Sequence, residues 1–148
     1  MSDVEKLKGR VREYLLNRIP TAKDSFWNDI CTVYLFGSAV RGGGWKKEKD
    51  LDLAVYFHPS GTFAIEDGEK IGEELERAVR VKVDVVTLNY APPLMRYEVI
   101  KNGEMLYCSD EEKRVDFEVK SLLEFYELEP LRRRLSDEIR QMIRDEVF

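Results

Sequence analysis

Three aspartates stand where they could do chemistry: Asp50 and Asp52, separated by one residue, and Asp84, set into the apolar stretch VKVDVV. Side chains two apart on a strand share a face, so Asp50 and Asp52 project together while Leu51, Leu53 and Val55 turn inward. In residues 81 to 86 the same alternation sets Asp84 opposite Val81, Val83 and Val85. If the two strands are neighbours, the three carboxylates meet on one surface. Like charges so close push at least one pKa upward unless a cation sits among them. Carboxylate oxygens completed by water and phosphate describe a Mg²⁺ site, with Asp50, Asp52 and Asp84 as the ligands. Two such ions would stabilise both the attacking and the leaving oxygen of an in-line phosphoryl displacement.

A second group lies just upstream. Gly37 and Ser38 follow the apolar run CTVYLF, where backbone N–H groups and a hydroxyl at a strand end can hold a phosphate. Arg41 would add a cation beside it. Taken singly, a Gly-Ser pair is an ordinary turn and an Asp-x-Asp pair an ordinary strand end. The Walker-type phosphate loop is absent, and His58, the only histidine, stands at a His-Pro-Ser-Gly turn away from any serine–aspartate constellation.

The elements that must position these groups follow from hydrophobic periodicity. Val4, Leu7, Val11, Leu15 and Ile19 define an amphipathic helix ending at Pro20, and Phe26 and Trp27 fall on a second, short one. Strands are expected over 31–36, 51–57 and 81–88, the first followed by a short helix from Ala39. A helix carrying Ile71, Leu75, Ala78 and Val79 precedes the third strand. Another helix spans 94–101, opened by Pro92-Pro93 and closed by Asn102-Gly103, and residues 105–108 form an edge strand. The tail reads as two helices broken near Pro130, with stripes at Val115, Val119, Leu122, Leu123, Tyr126 and at Leu131, Leu135, Ile139, Met142, Ile143. Two strands in succession indicate an α+β fold with a small mixed sheet, here a core over 1–108 and a helical extension over 109–148 packed on it.

Composition narrows the function classes. A chain of 148 residues with 43% hydrophobic and 36% charged residues is a single globular unit. A net charge of −5 offers no positive field for nucleic acid or anionic membrane. The charged N-terminus is not a signal peptide, and no apolar run is long enough to span a membrane. Cys31 and Cys108 lack metal or CxxC spacing, which points to reduced thiols in a cytoplasmic protein.

FGSAVRG from Phe36, DLDLAVYF from Asp50 and VDVV from Val83 together resemble the minimal nucleotidyltransferases of the polymerase-β-like superfamily. The tail RVDFEVKSLLEFYELEPL is similar to the C-terminal segment of the antitoxin members. The resemblance implies transfer of a nucleoside monophosphate, AMP from ATP, with release of pyrophosphate. Gly37 and Ser38, with Arg41 beside them, would hold the triphosphate. Asp50 and Asp52 would bind Mg²⁺, and Asp84 would share a metal and help deprotonate the acceptor hydroxyl. It further implies a partner, a HEPN-type ribonuclease toxin silenced by AMP added to a tyrosine. A small-molecule hydroxyl as acceptor, or neutralisation by contact alone, are the alternatives. Two departures from the antitoxin pattern stand out: residues 39–49 make an eleven-residue spacer where ten is usual, and Lys49 replaces serine before Asp50.

Overall fold

The computed structural model describes residues 3–23, 25–40 and 50–147. Arg41, the glycine triplet and Lys46, Lys47 and Lys49 lie outside the described residues. The elements are α1 (Asp3–Thr21), α2 (Ser25–Asn28), β1 (Ile30–Phe36), β2 (Leu51–Phe57), α3 (Asp67–Val79), β3 (Val83–Thr87), α4 (Pro93–Asn102), β4 (Glu104–Cys108) and α5 (Glu111–Val147). The strands form one mixed sheet in the order β3-β2-β1-β4. β1 is antiparallel to both β2 and β4, whereas β2 and β3 run parallel through the α3 crossover.

This is the expected α+β architecture. β1 is buried along nearly its whole length, Thr32 included, because it lies between two cores. Val33 and Leu35 enter the layer shared with Leu7, Val11 and Leu15 of α1 and Ile71 and Leu75 of α3. Cys31 and Tyr34 enter the opposite layer with Ala54, Tyr56, Val99 and Phe117. On β2 the alternation is the same, with Leu51, Leu53 and Val55 on the α1–α3 side and Ala54 and Tyr56 on the other.

Helix α3 lies unusually near β3. A Cβ at Gly72 would stand 3.2 Å from the Val83 carbonyl oxygen and 3.3 Å from Val85 Cγ2, so the helix seats on the strand only because that position has no side chain. The far side of α3 is clamped to α1, where Arg18 Nε donates to Glu74 at 2.7 Å and Tyr14 donates to the same carboxylate. Arg80, in the left-handed conformation at φ 58°, ends the helix, and Arg10 reaches across to cap the Val79 carbonyl at 3.0 Å. β3 itself is held at its start by Glu76, which accepts the Val83 N–H at 2.8 Å. It is shorter than expected, because Val81 and Lys82 complete the turn from the helix rather than the strand.

The tail departs from expectation. In place of two helices with a break, α5 is one helix of 37 residues with Pro130 inside it. A proline removes one i→i−4 bond and costs a helix about 3 kcal/mol, but it does not forbid continuation. Beside it, Arg132 stacks over Phe125 at 4.2 Å and donates to its carbonyl at 3.3 Å, while Glu129 pairs with Arg132 and Arg133. Pro20 likewise lies inside α1, which runs on to Thr21, whose hydroxyl donates to Asn17 O at 2.9 Å. The N-terminal half of α5 is fixed to the body by Phe117 stacked on Tyr56 at 3.9 Å, Phe125 on Tyr97 at 3.6 Å, and Glu118 accepting the Tyr34 hydroxyl at 2.9 Å. Its C-terminal half leaves Leu131, Leu135, Ile139, Met142 and Ile143 exposed.

Two of the helix glycines, Gly9 and Gly72, predict opposite outcomes. A Cβ at Gly9 meets nothing within 4 Å, so Gly9→Ala raises stability by up to about 1 kcal/mol through helix propensity alone. Gly72→Leu forces α3 off β3 and lowers stability by about 1–3 kcal/mol, both read by urea denaturation.

Candidate active site

The parallel register brings the acidic residues together. Asp52 and Asp84 are direct partners across β2 and β3, and therefore share a face. Asp50 immediately precedes β2, and the ladder is extended past it by the Leu51 N–H, which donates to the Lys82 carbonyl at 2.8 Å. The Asp84 carboxyl is held above its ordinary value of 3.8, first by side-chain hydrogen bonding with Asp50, then by desolvation and the Asp50 charge. Asp52 is also pushed upward, chiefly by burial and then by the charges of Asp84 and Asp50.

Gly37 closes the other wall. It sits at φ 76° at the end of β1, where Phe36 is paired opposite Asp52. A Cβ on Gly37 would collide with Asp52 Oδ2 and come within 3.3 Å of its Cγ, so the Gly-Ser turn and the acidic pair are in direct contact. Gly37 is required twice, for its backbone conformation and for the room it leaves. After it comes a single 3₁₀ turn, Gly37–Ala39, with Val40 N–H donating to Gly37 O at 3.1 Å, rather than a helix begun at Ala39. The structure thus brings together Gly37, Ser38, Asp50, Asp52 and Asp84; Arg41 lies outside the described residues.

Lys82 belongs to this surface and was not singled out from the sequence. Its ammonium lies 3.7 Å from Asp50 Oδ2. The signal was present, because in VKVDVV residue 82 shares the Asp84 face while Val81 and Val83 are buried. On the Asp84 side an open groove of about 320 Å³ runs along α3, lined by Glu69, Glu73, Glu76 and Asp84. A larger groove of about 490 Å³, between α1 and the end of α3, contains none of the three aspartates.

Among the described residues no three or more His, Cys, Asp or Glu side chains form a ready metal-binding cluster. The three aspartates are therefore not a finished cage. Their chemistry still fits Mg²⁺, which takes one or two carboxylates and draws its other ligands from water and phosphate. The upward shifts at Asp52 and Asp84 come in part from the charges of neighbouring carboxylates, a repulsion that a divalent cation among them would offset.

The sign of the pH dependence follows. A carboxyl whose folded pKa is raised contributes stability below the unfolded value, and that contribution is lost as pH rises through the folded value. The metal-free protein therefore loses stability as pH climbs from 3.8 through the raised values of Asp52 and Asp84. In EDTA, Asp52→Asn should flatten that slope and raise Tm at neutral pH, as measured by thermal melts across pH 4 to 7. Gly37→Ala should lower Tm at every pH, by the equivalent of about 1–3 kcal/mol for a left-handed non-glycine residue with a collision.

The family model for the polymerase beta nucleotidyltransferase domain matches residues 20–112. No curated protein matches the chain by sequence. Among solved structures, a chain of a toxin–antitoxin complex with AMP-PNP superposes with a TM-score of 0.68 at 23% identity, covering 89% of this chain and 97% of that one. A chain of the MntA-HepT toxin–antitoxin complex gives 0.64 at 21% identity over 91% of this chain and 97% of that one. The Shewanella oneidensis complex of a tri-AMPylated HEPN toxin with MNT antitoxin gives 0.64 at 21% identity, covering 92% and 98%. These likenesses extend the fold beyond the family match into the helical tail. With the family model covering more than half its length, the chain belongs to the polymerase beta nucleotidyltransferase family.

Proposed function

We propose that this protein is a Mg²⁺-dependent nucleotidyltransferase that moves AMP from ATP to a protein hydroxyl, a tyrosine of a partner HEPN-type ribonuclease toxin, and so acts as the antitoxin. The observation that carries the reading is the direct pairing of Asp52 with Asp84, with Asp52 packed against Gly37. That arrangement sets acidic ligands beside a strand-end turn, as transfer from a metal-bound triphosphate requires. Membership of the family supports the transferase chemistry, and the complexes of similar fold support the acceptor and the pairing.

In this mechanism Gly37 and Ser38 receive the triphosphate through the turn's backbone and hydroxyl, with Arg41 beside them. Asp50, Asp52 and Asp84 would hold Mg²⁺, two ions in this reading, which would screen the charge of the phosphates and of the departing pyrophosphate. The acceptor oxygen attacks the α-phosphorus, the bond to the β-phosphate oxygen breaks, and the hydroxyl proton passes to the Asp84 carboxylate. Transfer of charge to pyrophosphate, rather than a covalent enzyme intermediate, means no nucleophile is required of the chain. No helix among the described residues is long and apolar enough to cross a membrane, and the free thiols of Cys31 and Cys108 fit a cytoplasmic setting.

A second reading, silencing by contact alone, draws on the exposed stripe of α5, where Leu135, Ile139 and Met142 are 46%, 54% and 62% exposed. The two readings separate cleanly. Purified protein with Mg²⁺, radiolabelled ATP and the HEPN protein encoded beside it should label the partner and release pyrophosphate. Asp50→Asn with Asp52→Asn should abolish labelling by about 10³-fold or more, as for loss of metal-centred charge stabilisation. The double variant should also leave cells unprotected from the toxin. Full protection by that variant would favour contact; absence of label and of pyrophosphate in the native protein would overturn the catalytic reading.

A further inference from the structure

The geometry points to Lys82 as a positioning residue that occupies Asp50 in the metal-free chain and makes cation binding depend on nucleotide. This rests on the Mg²⁺–nucleotide reading of the same site. Three observations carry it. The Lys82 ammonium lies 3.7 Å from Asp50 Oδ2. Its backbone is fixed to the strand that bears the acidic pair, since the Lys82 carbonyl accepts the Leu51 N–H at 2.8 Å. And residue 82 falls on the Asp84 face between buried Val81 and Val83, so the side chain is directed over the acidic surface rather than away from it.

The consequence is a competition. A lone divalent ion arriving at Asp50 must displace a cation already seated there. An ion arriving with a triphosphate brings negative oxygens that give the displaced ammonium a new partner within its reach. Lys82 is 68% exposed on a flexible four-carbon stem, so it can make that exchange without moving the strand. Binding of metal and of nucleotide are thereby coupled through one side chain, and the coupling is reciprocal.

The test is isothermal titration of the full chain with Mg²⁺ alone, and then with a non-hydrolysable ATP analogue at saturating Mg²⁺. Lys82→Met keeps the stem and removes the charge. It should tighten Mg²⁺ binding in the absence of nucleotide by about fivefold, the effect of one unit charge at about 4 Å in water, and weaken the analogue by a similar factor. Lys82→Arg should restore the native pattern in both titrations. A structural role for Lys82 would move both affinities in the same direction or neither, and either result overturns the inference while leaving the Mg²⁺–nucleotide reading intact. If the native chain binds neither Mg²⁺ nor the analogue, both fall together.

Discussion

The arrangement depends on one constraint, the in-register parallel pairing of β2 with β3. Carboxylates do not gather spontaneously; here the backbone ladder sets Asp52 opposite Asp84 and leaves their repulsion to be relieved by protons or by a cation. Around that constraint the neighbouring elements follow. Glycine at position 72 lets α3 settle on β3, Glu76 and the Lys82 carbonyl fix the strand's start, and Gly37 brings the turn after β1 against Asp52. Apart from the Glu76 carboxylate, each of these contacts is made by backbone or by a glycine that leaves room. The acidic surface is held rigidly although its own charges oppose it.

The sheet also separates stability from chemistry. One layer, between the sheet and α1 with α3, is densely apolar and carries most of the fully buried residues. The other is shared: Ala54 and Tyr56 are buried beneath α4 and α5, and further along the same face the strand carries its carboxylates into solvent. β2 thus supplies core from one end and acidic side chains from the other. The difference between buried and reactive on that face is set by how far α4 and α5 extend over it, not by a change in the strand.

Much of this was legible in the residues. Strand alternation around Asp50, Asp52 and Asp84 assigned their common face, and the apolar stretch 31–36 identified the central strand, because both signals come from local geometry. Proline was the misleading cue. Pro20 and Pro130 signal helix ends, yet α1 runs one residue past the first and α5 continues past the second to Val147, because the missing N–H weakens a helix without forbidding it. Hydrophobic periodicity does not register that difference. Lys82 was missed for a different reason. The same alternation that marked Asp84 also marked it, but a lysine on an exposed strand face is unremarkable until a carboxylate from a different strand is placed beside it.

The mixed direction of the sheet has a temporal meaning as well. Gly37 and Ser38 follow β1, and Asp50 and Asp52 stand at the start of β2, its antiparallel neighbour; such local pairings form early in folding. Asp84 joins them through the parallel pairing of β3 with β2, a non-local step with a larger loop to close. A chain in which β3 has not docked therefore possesses the turn and two carboxylates but not the third.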